Sequence, residues 1–442
     1  MGLLRYPESK ESGVAWLGKV PSHWQVHRLK NLFEIRKRIV GEEGHQVLSI
    51  TQRGIKVKDI ESNDGQLSMD YSKYQIVHPG DFAMNHMDLL TGFVDISPYA
   101  GVTSPDYRVF AVRDGVQCEP RYFLYLLQNA YRQKIFYAFG QGASEFGRWR
   151  FPTDQFNDFR FPCPPSSEQT AIATFLDRET GKIDALVAEQ EKLLALLAEK
   201  RQATISHAVT KGLNPDAPMK DSGVAWLGKV PEHWGMKRIK DCGCEVVDCK
   251  NRTPEPHPDG DYFVVRTSCV KDGRFDPEPG YRTDERNFIE WTAKGKPQTG
   301  DVLFTREAPT GEACLAPQGL DFCLGQRMMY IRPPEQVLRS EFLLYSIYGG
   351  LARERISEKS KGSTVGHLRV GEVGELPLLL PPLDEQRELV EFVADELNKL
   401  QSLEVESERA IALLKKRRSA LIAAAVTGQI DVRGLVIEPE AA

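Results

Sequence analysis

Cys242, Cys244, Cys249 and His257 place three thiols and an imidazole in one short stretch, a donor set that could hold zinc tetrahedrally. The spacing is C-x-C-x4-C rather than paired C-x2-C, and the first half of the chain has no counterpart, so ordinary reduced thiols are the expectation and no metal ligand is assigned. A second candidate, Pro215-Asp216 followed by Asp248-Cys249-Lys250, has the residue types of a nuclease centre, but Asp216 falls in a linker. His23 and His233 recur in the same context, each just ahead of a tryptophan, where an imidazole could serve as a general base. No nucleophile or carboxylate recurs at a fixed distance from them, so they are expected to help Trp16/Trp24 and Trp226/Trp234 clamp a helix end. There is no Walker-type phosphate loop. The "NPD" at 214–216 lacks the second proline and the aromatic ring needed to hold an exocyclic amine for methylation. No catalytic residue is assigned.

The elements that would position such side chains are written twice. "KESGVAWLGKVPSHW" from Lys10 returns as "KDSGVAWLGKVPEHW" from Lys220, and residues 10–30 match 220–240 at 15 of 21 positions without a gap. "PPSSEQ" at 164–169 returns as "PPLDEQ" at 381–386. Each double proline bars helix upstream; Ser166, Ser167 or Asp384 can cap, and Glu168 and Glu385 suit the positive first turn. Behind each lies a series spaced alternately three and four apart and mostly apolar, including Ile172, Leu176, Ile183, Leu186, Leu193 and Leu197 in the first and Leu389, Val393, Leu400, Leu403 and Leu414 in the second, with polar breaks such as Glu179 and Glu396. The spacing predicts a coiled-coil seam over helices of about 42 residues, roughly 60 Å long, that pair with each other. Both end in "AVT", at 208–210 and 425–427, with Gly212 and Gly428 as stops.

The enclosed inserts, 31–163 and 241–380, differ in most residues but share landmarks. "PGDFAM" at 79–84 resembles "TGDVLF" at 299–304, and "GQGASEFGRWR" at 140–150 or "KSKGSTVGHLR" at 359–369 precedes each double proline. Short Val/Ile/Tyr/Phe runs broken by Gly, Pro and Asp predict small mixed α/β domains. The fold class expected is α+β: two such domains separated by two long antiparallel helices, with an internal pseudo-twofold repeat.

The 442 residues carry a net charge of −5, with 41% hydrophobic and 27% charged content, which suits a globular protein of two or three domains. The charge argues against a simple electrostatic nucleic-acid binder: the inserts sum to about −1 and −4, so a polyanion would have to meet local patches or a partner's charge. No apolar run reaches membrane-spanning length, and "MGLLRYPESK" lacks the features of a secretory signal, so a cytoplasmic location is expected. Eight cysteines without scaffold spacing agree with reduced thiols.

The doubled "SGVAWLGKVPxHW", the doubled "PPxxEQ" and the "GDxxF" and "GST" landmarks resemble the specificity subunit of type I restriction-modification enzymes, over essentially the whole chain. The resemblance implies target recognition domains within 1–165 and 213–382, long helices over 166–212 and 383–428, and a tail at 429–442. It also implies a bipartite double-stranded DNA site with one half read by each domain. Two modification (methyltransferase) subunits carrying S-adenosylmethionine, and restriction/translocase subunits using ATP and magnesium, would dock on it; the chain itself would hold no cofactor. Base edges and phosphates are met by Arg, Lys, Asn, Gln, His and hydroxyls. The first insert offers Arg53, Lys56, Lys58, Asn85, His86, Gln141, Ser144, Arg148 and Arg150. The second offers Arg266, Lys271, Arg274, Arg306, Lys359, Lys361, Ser363, Thr364, His367 and Arg369. The repeated segments and outward helix faces are the expected docking surfaces. Two rival readings are a self-sufficient DNA methyltransferase or nuclease, which would need the motifs found missing above, and a coiled-coil adaptor that binds only protein.

Overall fold

The computed structural model describes residues 4–60, 68, 70–142, 149–361 and 366–435. The chain forms two compact units, 1–190 with 409–442, and 191–408. Two long helices, Ser166–Lys211 and Leu383–Val426, contribute to both units by covalent continuity. At 1.5 Å per residue their 46 and 44 residues correspond to about 65–70 Å of helix.

In unit 1 the repeated opening segment folds as a hairpin of Ser9–Glu11 and Lys19–Pro21, and Gln25–Arg28 then pairs antiparallel with Arg160–Cys163. That pairing ties the two ends of the first insert together just ahead of the long helix. Inside the insert is an antiparallel sheet in the order Phe33–Ile35, Arg108–Val112, Phe82–Met84, Val94–Ile96. Unit 2 repeats every step: Met219–Asp221 with Lys229–Pro231, Gly235–Arg238 with Pro377–Leu380, and a sheet in the order Glu245–Asp248, Met328–Arg332, Val302–Thr305, Ala313–Leu315. Two inserts that differ in most residues therefore share one sheet topology. Unit 2 adds a sheet of Tyr281–Thr283, Tyr262–Val265 and Phe322–Leu324, the last two parallel, over a small core of Val264, Phe288, Trp291 and Cys323.

The "GD" landmark is a turn that seats an arginine. Gly80 and Gly300 hold φ of +90° and +86° in open space, so backbone conformation rather than room selects glycine there. The next carboxylate accepts the backbone N–H three residues back, His78 to Asp81 at 2.9 Å and Gln298 to Asp301 at 2.7 Å. Each also accepts a guanidinium at 2.8 Å, from Arg38 or Arg332.

The "PPxxEQ" signature has an equally local reason. Gln169 donates to Pro164 O at 2.8 Å and accepts the Glu119 N–H at 2.9 Å, at the start of helix Pro120–Arg132. Gln386 does the same with Pro381 O at 2.9 Å and the Arg339 N–H at 2.9 Å, ahead of helix Ser340–Tyr348. Glu168 lies 2.8 Å from His23 Nε2 and accepts the Trp24 indole N–H at 3.1 Å. Glu385 lies 2.7 Å from His233 Nε2 and accepts from Trp234 at 3.0 Å. His23 and His233 thus serve as helix clamps with the second tryptophan of each pair. The first tryptophans do not join them: Trp16 stacks on Phe159, and Trp226 is 54% exposed.

The long helices run antiparallel within each unit. In unit 1, Ile172, Phe175 and Leu176 from the start of the first share a core with Ile422, Ala425 and Val426 from the end of the second. In unit 2, Ile205, Ala208 and Val209 share a core with Leu389 and Val393. The expected apolar seam is buried toward the helix ends, but Leu186, Leu193 and Leu403 are exposed. The buried turns pack on the insert helices and the repeated segment as well as on the partner helix, which a coiled-coil seam alone does not describe.

Candidate nucleic-acid interface

In unit 1 the loops at one end of the four-stranded sheet gather several of the polar residues singled out from the sequence. Asn85 and His86 follow strand Phe82–Met84, and the Phe151 N–H donates to His86 O at 2.8 Å. Gln141 and Arg150 exchange two backbone hydrogen bonds of 2.8 and 2.9 Å and are both exposed. Beneath them lies Arg108, buried at 3% exposure, with Nη2 donating to Phe151 O at 3.0 Å and the guanidinium 4.5 Å from the centre of the Phe156 ring. Among the described residues, its Nη1 and the Nδ1 of His86 are buried without a hydrogen-bond partner. Burial, reinforced by Arg108 and Arg150, pushes the His86 imidazole down to about 3, so it stays neutral at physiological pH. Burial also lowers Arg108 to about 10, which leaves it charged.

Hairpin Leu48–Thr51/Gly54–Val57 flanks this end, its tip joined to the 88–92 loop by Gln52 donating to Thr91 O at 3.3 Å. Arg53 at the tip and Lys56 on the second strand are exposed. Lys58 and Asn85 line one cleft of about 580 Å³ with Tyr74, Asp88, Ser104 and Tyr107. Asn85, His86, Gln141 and Arg150 thus lie together, and Lys58 lines the same cleft as Asn85.

Unit 2 builds the corresponding end with different side chains. Arg306 follows strand Val302–Thr305 as His86 follows its own, and the Leu368 N–H donates to Arg306 O at 3.0 Å. Arg306 is 9% exposed and lies 3.1 Å from Asp248, a charge pair too poorly aligned for a hydrogen bond. His367 Nδ1 and Arg327 Nε approach Glu307 at 3.3 and 3.5 Å. Arg369 is exposed and begins helix Val370–Gly374, whose Glu372 also holds Lys359 at 2.8 Å.

Other residues lie apart. Lys271 and Arg274 occupy the short hairpin Val270–Lys271/Arg274–Phe275, and Arg274 lines a cleft of about 580 Å³ with Arg201, Gln202, Tyr348 and Leu397. Arg266 is exposed ahead of that hairpin. Ser144, Arg148, Ser363 and Thr364 lie outside the described residues, as does the Lys361 side chain.

The thiols do not converge. Cys242 packs in the core around Trp234, Cys249 in another with Met328 and Tyr330, and His257 faces Asp284 at 3.5 Å. Burial raises Cys244, Cys314 and Cys323 to about 12, so these stay protonated at neutral pH. Among the nuclease-like residues, Lys250 is held by Glu290 at 2.7 Å and Asp248 by Arg306.

Sequence reasoning did not count two basic segments among the DNA contacts, Arg36-Lys37-Arg38 and Lys250-Asn251-Arg252, each leaving the first strand of its sheet. The signal was the charge run directly after a β-rich stretch in both inserts.

The model of the type I restriction modification DNA specificity domain matches this chain twice, at residues 21–195 and 231–410. The chain belongs to that family, as a specificity subunit of a type I restriction-modification system. The MjaX type I restriction enzyme specificity subunit of Methanocaldococcus jannaschii is 20% identical, covering 98% of this chain and 99% of that one. The EcoDI specificity subunit of Escherichia coli is 28% identical over 64% of this chain and 65% of its own. A chain from a structure describing complex assembly and conformational transition of the type I R-M system aligns at TM-score 0.69 and 16% identity, over 93% of this chain and 99% of that one. The HsdS subunit of Thermoanaerobacter tengcongensis aligns at 0.50 and 16%, over 95% of this chain and all of that one. At such identities these structures establish the fold. Among the described residues no helix is long and apolar enough to cross a membrane.

Proposed function

We propose that each unit reads one half of a bipartite site in duplex DNA, through the loops at the end of its four-stranded sheet. The observation that carries this reading is the pairing of one shared frame with two different sets of side chains. The same strand order and the same backbone hydrogen bond to the residue following strand Phe82–Met84 or Val302–Thr305 place His86, Asn85, Gln141 and Arg150 at this end of unit 1, but Arg327, His367 and Arg369 around a buried Arg306 in unit 2. A frame built once and edited at its loops suits two readers of different sequence.

The chain acts in this reading without chemistry of its own: S-adenosylmethionine, ATP and magnesium belong to modification and restriction subunits. The docking surfaces for the modification subunits are the repeated opening segments and the outward faces of the long helices. Large apolar side chains stand exposed there, among them Leu186, Leu196, Phe392, Val405 and Leu413.

Mapping methylated adenines in the host genome with and without this gene tests the assignment. Exchange of residues 31–163 for another relative's insert is expected to rewrite one half-site and leave the other intact. Change in both halves, or in neither, rules out one reader per unit.

A further inference from the structure

We propose that Lys250, Asn251, Arg252 and Gln326 form a second DNA-contact element of unit 2, in which the two cations hold backbone phosphates and the two amides meet a base edge. The inference rests on the reading of unit 2 as a half-site reader and names residues that reading does not include.

The element is contiguous with the sheet end already described. Strand Glu245–Asp248 ends in the partner of Arg306, and the next residue, Cys249, donates its N–H to Met328 O at 3.2 Å. Residues 250–252 therefore leave the sheet beside the 325–327 turn. Gln326 Nε2 donates to Asn251 O at 3.3 Å and reaches Asn251 Oδ1 at 3.4 Å, which sets two amide side chains side by side. Asn251 is exposed and Gln326 half-buried. Paired amides carry donors and acceptors together, as an adenine edge requires.

The cations are held ready. Lys250 Nζ and the Arg252 guanidinium lie 5.1 and 5.0 Å from the centre of the Trp291 ring, and Trp291 donates its indole N–H to Arg252 O at 2.9 Å. Glu290 accepts from both. One carboxylate shared by two cations leaves the cluster net positive, and the Arg252 side chain remains 66% exposed. An aromatic face and a single carboxylate restrain both side chains, which reduces the ordering cost when a phosphate arrives. In unit 1 the same place after the first sheet strand holds exposed Lys37 between Arg36 and Arg38, so a basic exit from that strand recurs although the sequences differ.

The test uses the full chain assembled with its modification subunits and a pool of duplexes with a randomised core, from which the wild-type complex first selects its site. The K250Q/R252Q double variant is expected to bind that site with a salt-dependence slope smaller by roughly 1 to 2, at unchanged sequence preference. N251A/Q326A is expected to relax preference at one base pair of one half-site, with about a 5- to 100-fold loss against the selected sequence. Retained assembly with the modification subunits separates these effects from misfolding. An unchanged slope together with an unchanged preference would overturn the proposal. A wild-type complex that selects no sequence from the pool would instead remove the half-site reading on which it stands.

Discussion

The clamp at the start of each long helix is made of the same three residue types in both units, yet the two are seated differently. Glu168 is 5% exposed and serves Tyr6, His23 and Trp24, whereas the Glu385 side chain is 25% exposed and, among the described residues, serves His233 and Trp234. The Tyr6 hydroxyl, pushed well up by burial and by Glu168, is a firm donor, and Arg433 lies 5.0 Å from its ring centre. Replication of a motif thus copies a connection without copying its energy. The energy depends on what else covers the carboxylate, which in unit 1 is the tail after the second helix: Ile430 and Val432 enter the core, and the Asp431 N–H donates to Leu4 O at 2.8 Å.

Three changes would break or sharpen that contrast. The largest effect is expected from E168A, which strands three donors in a buried setting and should cost about 2–4 kcal/mol; E385A, where water can replace the lost acceptor, should cost about 1 kcal/mol. Native-state hydrogen exchange in residues 20–33 and 230–242 reads the two separately, and equal losses would erase the distinction.

Next comes acid sensitivity. The unfolded His86 imidazole takes up a proton near pH 6.5, the folded one not until about 3, so wild-type unit 1 should lose stability as pH falls through that window. Relative to H86Q the loss should approach about 1.4 kcal/mol per pH unit at most. Denaturation midpoints of both proteins from pH 7 to 4 measure it.

The smallest effect concerns the helices. Arg418 bonds Asp184 bidentately at 2.8 and 3.1 Å, but the positions that match them in the repeat, Arg201 and Gln401, are not so paired. Arg201 donates instead to Asp272 O at 3.1 Å beside the open cleft. R418A should cost under about 1 kcal/mol, and Q401D should gain about 0.3–1 kcal/mol in unit 2, the usual range for exposed pairs. Thermal shifts of the two variants in opposite directions would support equivalence of the positions.

Much of the fold was legible because duplication marks what the frame needs. The double prolines, the stop glycines and the helix period are local signals, and local signals survive in one sequence. The clamp was only half legible: a tryptophan and a histidine before a helix suggested capping, but their acceptor lies 144 residues away for Trp24 and 151 for Trp234. Nothing in spacing distinguishes Trp16 from Trp24 either; which of them meets the glutamate depends on how the opening hairpin turns. The recognition face was harder still. Arg306 and Arg369 look alike in sequence, yet one is buried against Asp248 and the other exposed, a difference set by the loop's return to the sheet. The basic exits at 36–38 and 250–252 were missed because a charge run after a strand is ordinarily only a solvated turn.

The division of the chain fixes an order of events during synthesis. Unit 2 lies in one uninterrupted stretch, 191–408, while unit 1 waits for residues from 409 onward to supply Ile422, Val426 and Val432 to its interior. The lobe that leaves the ribosome first is therefore finished last, and Val20, Trp24 and Leu176 must stand without their final cover while more than two hundred further residues are made. Chaperone demand and premature termination should consequently fall on the amino-terminal half, the reverse of the usual vectorial advantage of an early domain.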